Sequence, residues 1–310
     1  MDLHRLRYFV AVAEERHITR AAARLGMAQP PLSQQIRALE QDLDTRLFDR
    51  LPKGVALTPA GEALLEDARA LLDAADRAGR RARRVAAGEE GELAGGLTTS
   101  AALHPLVPRL LRAFRDSHPA ISYDLHESNA AELTEAVLAG RLAFGLMRAP
   151  VARPPTLAFV DLGTEMLLAA LPADHRLPVR RGRDGVGRIA LAALADQDFI
   201  LVRRRAAPGL YANIVEACRL CGFEPRVTAE VGRMLTNLNL VAAGIGISCV
   251  PESMRQVGGQ GVVYAHLDAP AAARALLRAP ITLMHRADEA RPAVLAFIAE
   301  ARRQATASAS

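Results

Sequence analysis

The chain has 310 residues, a net charge of +5, 50% hydrophobic and 24% charged residues, and few aromatics. That composition suits two or three folded domains with cores of Ala, Leu and Val, and it excludes a disordered or fibrous chain. No apolar run reaches the length of a membrane span, the N-terminus has no signal-peptide pattern, and three cysteines make no disulfide framework, so a cytoplasmic protein is expected.

The elements begin with a helix in which Leu3, Leu6, Val10 and Ala13 recur at helical spacing. A second helix spans about Thr19 to Leu25, and Gly26 is suited to end it in the left-handed conformation. Pro31 fits the first turn of a third helix, whose apolar stripe is Leu32, Ile36, Leu39 and Leu43. Between the stripe residues stand Ser33, Gln34, Gln35 and Arg37. Two short strands around a Pro52-Lys53-Gly54 tip then predict a wing. Two helices joined by a short glycine turn match a helix-turn-helix, whose second helix enters the DNA major groove. Ser and Gln suit base edges because they both donate and accept, and Arg37 suits phosphate or guanine. The motif alone leaves a plain helical hairpin open.

Thr58-Pro59 predicts a helix start, and the helix runs to Gly88, roughly 45 Å. Leu64, Ala68, Leu71, Ala75, Ala78, Ala82 and Val85 alternate four and three apart, which is a heptad seam. A helix with nothing of its own to pack on implies a partner helix, most simply from a second copy; a helix lying on its own domain's surface is the alternative.

Beyond Gly88 the pattern alternates. Strands are predicted at Leu97–Ser100, Ile121–Glu127, Ala143–Met147, Met166–Leu171, Phe199–Val202, Val227–Val231 and Ile245–Val250. Helices are predicted at Pro105–Ser117, Ala130–Ala139, Gly209–Cys221 and Met234–Ala243. This grammar predicts an α/β fold with a largely parallel sheet in two linked subdomains. Arg180–Arg188 reads as a solvated loop, and neither a Walker loop nor a dinucleotide fingerprint is present.

Residues 1–60, through "LRYFVAVAEERHITRAAARLGMAQPPLSQQIRALEQDLDTRLFDR" and "LTPAGEALL", resemble the winged helix-turn-helix of LysR-type transcriptional regulators. The resemblance extends over essentially the whole chain, with "LVPRLLRAFRDSHP" and "LVAAGIGISCVP" at family-typical places. "AQPPLSQQI" and "SNAAELTEAVLAGRLAFGLMRAP" are most similar to regulators of aromatic catabolism that sense muconate-like compounds. It implies a DNA-binding domain at 1–58, a linker and dimerisation helix at 59–88 and a periplasmic-binding-protein-like regulatory domain at 89–310. The latter would comprise one subdomain from about 91–163 and 267–310 and another from about 164–266.

The resemblance further implies DNA contacts from Gln29, Pro30, Ser33, Gln34 and Arg37, with wing contacts from Arg50 and Lys53; the family often has arginine at the place of Gln34. It places an effector at Thr99, Ser100, Asn129, Arg203 and Arg204, and a second, deeper ligand at Arg148. Ala130 stands where muconate-sensing relatives carry a hydroxyl, and Gly95 where the family usually has a branched aliphatic. The implied partners are a partly palindromic double-stranded operator, a small organic acid and further copies of the chain in a homodimer and homotetramer. No membrane, cofactor, metal or catalytic residue is expected. An anionic effector also follows from chemistry, because hydroxyls and helix starts favour negative charge and arginines hold carboxylates; arginines 203–205 as plain surface residues are the alternative.

Two other classes fit less well. A solute-binding protein lacks an export signal here, and an enzyme reading rests on His104, His118, His126, Asp124 and Glu127, which show no nucleophile or metal spacing. Asp124 and His126 share a face of one predicted strand. Cys218 and Cys221 form a lone CxxC with no second ligand pair, which favours buried small hydrophobes over a redox or zinc site.

Overall fold

Short polar caps and a left-handed glycine divide the first part of the chain into three packed helices. The computed structural model describes residues 1–148, 153–181, 186–203, 208–257, 259 and 261–307, and these divide into two compact units, 1–85 and 86–310.

In the first unit, α1 (Leu3–Glu15) starts where the Asp2 side chain accepts from the Arg5 N–H. Helix α2 (Ile18–Arg24) ends as expected at Gly26, φ +66°; Gly26 and Met27 donate to the carbonyls of Ala23 and Ala22, closing a Schellman motif. Helix α3 (Gln29–Asp42) carries both prolines in its first turn and buries Leu32, Ile36 and Leu39. Strands β1 (Phe48–Leu51) and β2 (Gly54–Leu57) pair antiparallel around Pro52-Lys53, forming the wing. Glu40 anchors it by accepting from the N–H groups of Leu47 and Phe48. Gly54, φ +130°, lies against the end of α1: a Cβ there would come within 2.4 Å of the Arg16 carbonyl oxygen, which also accepts from Val55 N–H.

Helix α4 (Pro59–Ala87) starts on Thr58, whose hydroxyl accepts from Gly61 N–H and donates to the Arg46 carbonyl. One correction concerns its seam. Leu64 and Ala68, with Leu65 and Leu72, pack into the unit's own core around Leu6, Phe9 and Leu39, and Ala68 is fully buried. The seam residues left exposed begin at Leu71 (46%) and include Val85 (49%).

The second unit contains β3 (Gly91–Leu97), α5 (Thr99–Ala102), α6 (Leu106–Ser117), β4 (Ile121–Glu127), α7 (Ala130–Leu138) and β5 (Phe144–Met147). Next come β6 (Leu157–Pro172), β7 (Arg180–Arg181), β8 (Gly187–Ala190), β9 (Asp198–Val202), α8 (Pro208–Leu220), β10 (Arg226–Val231) and α9 (Met234–Ala242). The chain continues through β11 (Ser248–Pro251), β12 (Val262–Asp268), α10 (Ala271–Leu276), β13 (Arg278–Arg286) and α11 (Pro292–Ala307).

Nine strands form one sheet in the order β4-β3-β5-β13-β6-β12-β8-β7, with β11 also on β6; β9 and β10 pair separately. The sheet is mixed rather than largely parallel. Parallel pairing holds for β3 with β4 and β5, β8 with β12, and β9 with β10, but β6 and β13 run antiparallel through the centre. They carry the chain out of the first lobe and back into it, so they must point opposite ways. One core joins Leu93, Phe114, Phe144 and Phe297; another joins Leu171, Phe199, Ile214 and Val250.

The first strand of this unit is a second correction: it occupies Gly91–Leu97, and Thr99 and Ser100 lie in a helical turn capped by Thr98. Gly95 and Gly96 sit inside the strand because Phe144 and Leu133 fill the space a Cβ would take, 2.1 and 2.2 Å away. Phe144 thereby supplies the bulk absent at Gly95. A third correction is Arg180–Arg188, whose ends are strands β7 and β8 rather than loop; its middle lies outside the described residues.

Candidate nucleic-acid interface and ligand cleft

The face of α3 opposite its apolar stripe is polar and open. Gln29, Pro30, Gln34 and Arg37 are exposed, as are Arg50 and Lys53 on the wing. Arg37, Arg50 and Lys53 form no ion pair among the described residues, whereas Arg5 pairs with Asp42 and Arg24 with Glu14 and Glu15. Unpaired cations on an open face are the arrangement that attracts phosphate. Ser33 differs from the others: it is buried, and its hydroxyl accepts from Gln29 Nε2 at 2.7 Å. The side chain presented outward at that place is therefore Gln29, steadied from below by Ser33.

In the second unit a cavity of about 260 Å³ opens between the two lobes. The first lobe contributes Thr98, Thr99 and Ser100 after β3, Ser128, Asn129, Ala130 and Glu132 after β4, and Arg148 after β5. The second contributes Val202, Leu210, Gly232, Arg233 and Met234. The first lobe's wall is mainly polar; the second is apolar apart from Arg233.

Several of the polar groups have defined partners. Asn129 is committed to its own helix, since its Oδ1 accepts from the N–H groups of Ala131 and Glu132 at 3.0 Å while Glu132 returns to the Asn129 N–H. Helix α9 has no such side-chain cap, and Arg233 stands at its N-cap. Arg148, 6% exposed, donates to the Ser100 carbonyl at 2.6 Å, the Ser253 hydroxyl at 3.0 Å and the Ala279 carbonyl at 3.3 Å, and it pairs with Glu165. Glu165 also accepts from the Ser253 N–H and hydroxyl. Burial pulls Arg148 down to about 10, and Glu165 opposes that pull, so the guanidinium stays charged at neutral pH. Its Nε is buried without a partner. At the cleft mouth Glu127 accepts from the Thr99 hydroxyl and from Arg233 Nη1.

Of the residues expected at an effector site, Thr99, Ser100, Asn129 and Arg148 converge on this cavity. Arg203 is exposed and does not line it, and Arg204 lies outside the described residues. Arg233 and Glu127 were not anticipated as cleft residues. The junction of β10 and α9 that presents Arg233 was legible as a strand followed by a helix, but nothing local marks which charge at such a junction faces a cleft. His104, His118 and His126 do not assemble: His126 pairs with Asp124 at 3.0 Å, His118 stacks on Phe114, and His104 accepts from the Leu106 N–H. Cys218 and Cys249 are buried among apolar side chains, which pushes the Cys218 thiol up to about 12. Among the described residues no helix is long and apolar enough to cross a membrane.

Residues 3–62 match the family of bacterial regulatory helix-turn-helix proteins of the lysR family, and residues 86–306 match the LysR substrate binding domain. The HTH-type transcriptional regulator YnfL of Escherichia coli K12 is 40% identical over 257 residues, 83% of this chain and 84% of its own. TfdS of Cupriavidus pinatubonensis is 34% identical over 98% of both chains. The crystal structure of full-length CbnR complexed with its target DNA superposes with a TM-score of 0.81 at 31% identity, covering 98% of this chain and 100% of that one. With an open polar helix and wing in one unit and a two-lobed cleft in the other, the chain belongs to the LysR family of transcriptional regulators, helix-turn-helix proteins with an effector-binding domain.

Proposed function

We propose that this regulator acts in the cytoplasm, reads a partly palindromic operator through α3 and the β1–β2 wing, and is controlled by a small organic anion in the cleft. Residues 1–58 serve as the reading domain, 59–88 as the linker and 89–310 as the sensor. Gln29, Gln34 and Arg37 reach base edges, Pro30 and Ser33 shape that surface, and Arg50 and Lys53 hold phosphates. Copies join along the exposed part of α4 into a homodimer, and dimers join into a tetramer; symmetric pairs suit symmetric half-sites.

The observation that carries the effector class is the wall made by α9. An uncapped helix start offers free N–H groups and the positive end of a dipole, and Arg233 adds a full charge beside it. Val202, Leu210 and Met234 next to it suit an apolar body. A cavity of about 260 Å³ is smaller than the roughly 300–1,000 Å³ of sites for drug-sized ligands. A compact acid with an aromatic or aliphatic body meets all three conditions. Thr99, Ser100 and Asn129 border it from the first lobe, and Arg148 backs it.

Calorimetry of the full-length protein against benzoate, muconate and succinate tests this. A binder is expected that Arg233→Ala weakens by roughly tenfold or more, as for loss of a charge-assisted hydrogen bond. Binding of neutral or cationic compounds only, or an acid that binds Arg233→Ala as well as wild type, overturns the anion assignment.

A further inference from the structure

Glu127 is an acid bonded to two residues of the cavity wall, Thr99 and Arg233. It is the last residue of β4, and it accepts from Thr99 of the first lobe and, at 2.7 Å, from Arg233 of the second through the same oxygen, Oε1. Those two donors are the hydroxyl and the guanidinium that a ligand carboxylate would use. One carboxylate oxygen of the protein thus already bridges the two lobes.

We propose that Glu127 is an internal competitor for the effector's carboxylate: the acid binds by displacing Glu127 from Thr99 and Arg233, and Glu127 thereby sets which acids are strong enough to act. This rests on the anion reading above and extends it to selectivity. Displacement is physically easy. The side chains of Glu127 and Arg233 are 52% and 56% exposed, and ion pairs this exposed contribute little. Once released, the Glu127 carboxylate returns to water without having to be buried. Arg148 cannot take the same part, because its guanidinium is buried and already held by Glu165, Ser253 and two carbonyls. Among the described residues lining the cavity, Arg233 is therefore the exchangeable cation.

The competition also defines the ligand. An inorganic anion exchanges one weak pair for another and gains nothing. An acid with an apolar body gains contact with Val202, Leu210 and Met234, which the Glu127 side chain does not supply from its place at the mouth. Selection then falls on the part of the ligand that Glu127 lacks.

The decisive variant is Glu127→Gln, which keeps the shape and an acceptor for Thr99 but removes the charge. In calorimetry on the full-length protein, benzoate, muconate and succinate should each bind Glu127→Gln roughly fivefold tighter than wild type, the order expected when a like charge about 4 Å away is removed in water. Acids too weak to register on wild type should become measurable, and benzamide, which is neutral, should show no gain. Glu127→Ala should tighten the same acids, and unchanged melting temperatures without ligand would show that both variants fold. If an acid binds wild type, loses affinity in Arg233→Ala, and binds Glu127→Gln equally or more weakly, the displacement is wrong and the anion site stands. If no acid binds either wild type or Glu127→Gln, the anion site and the displacement fall together.

Discussion

Under the proposed reading, single side chains on α3 and the wing divide into those that read sequence and those that hold position. Gln34 is exposed on α3 and Lys53 on the wing tip. Under the proposed reading, Gln34→Ala should cost about 1–3 kcal/mol of specific binding and leave non-specific binding nearly unchanged. Lys53→Ala should weaken all sequences alike and lower the salt slope by about one. Gel shifts on operator and unrelated DNA at several salt concentrations separate the two, and equal losses on both DNAs for Gln34→Ala would remove α3 as the reader. Ser33 should behave as a support for Gln29, so Ser33→Ala should resemble Gln29→Ala and the double variant should add little. Gly54 sets the wing against α1. Gly54→Ala faces both a left-handed φ and the Arg16 carbonyl, so a loss of about 1–3 kcal/mol is expected in denaturant unfolding. An unchanged midpoint would show that the wing tip tolerates displacement.

Among the elements, α4 serves two ends. Its first turns belong to the winged unit's core through Leu64 and Ala68, and its exposed seam begins at Leu71. Leu71→Asp should separate copies in analytical ultracentrifugation while each remains folded, whereas Ala68→Asp should unfold the winged unit, because a charge would be buried unpaired. Intact sedimentation of Leu71→Asp would move the interface elsewhere. Glu14 fastens α1 to both neighbours: hydrogen bonds from Arg69 of α4 and then Arg24 of α2 hold its carboxyl below the usual range. Its folded value lies below its unfolded one, so its contribution is complete above the unfolded value and is lost as pH falls through the folded one. The melting temperature of Glu14→Gln should therefore sit slightly below wild type at neutral pH and converge with it below about pH 4. Helix starts, the Gly26 stop and the wing were legible in the sequence because they depend on local chemistry. The seam's true partner was not, since Leu64 and Leu71 look alike until the winged core claims one of them. Strand β3 lies earlier than the Leu97–Ser100 expected: two adjacent glycines carry little strand propensity of their own, and Phe144 and Leu133 from elsewhere in the chain fill their sites.

Across the second unit, order depends on residues far apart in the chain. The Arg148–Glu165 pair and Ser253 tie β5, β6 and the turn after β11 into one buried network. Glu165→Leu leaves the Arg148 charge unpaired, and a loss of about 3–5 kcal/mol is expected in denaturant unfolding of the full chain. A smaller loss would mean that water reaches Arg148. The cleft was only half legible for the same reason of distance. Asn129 and Arg148 follow strands whose places were readable, Thr99 and Ser100 were expected inside a strand that in fact ends before them, and Arg233 meets Glu127 only because β10 and β4 end at one opening. The long strands β6 and β13 have a further consequence for synthesis. The first lobe's core takes Leu93 and Phe114 from early in the chain and Ile281, Val294 and Phe297 from near its end. The second lobe is threaded into that interval, so on the ribosome it can assemble while the first still waits for α11. The nascent sensor would spend most of its translation with β5 lacking its neighbour β13 and with the core on β3, β4 and β5 lacking Val294 and Phe297 of α11, a period in which apolar surface stands open before any cleft exists for a ligand to steady.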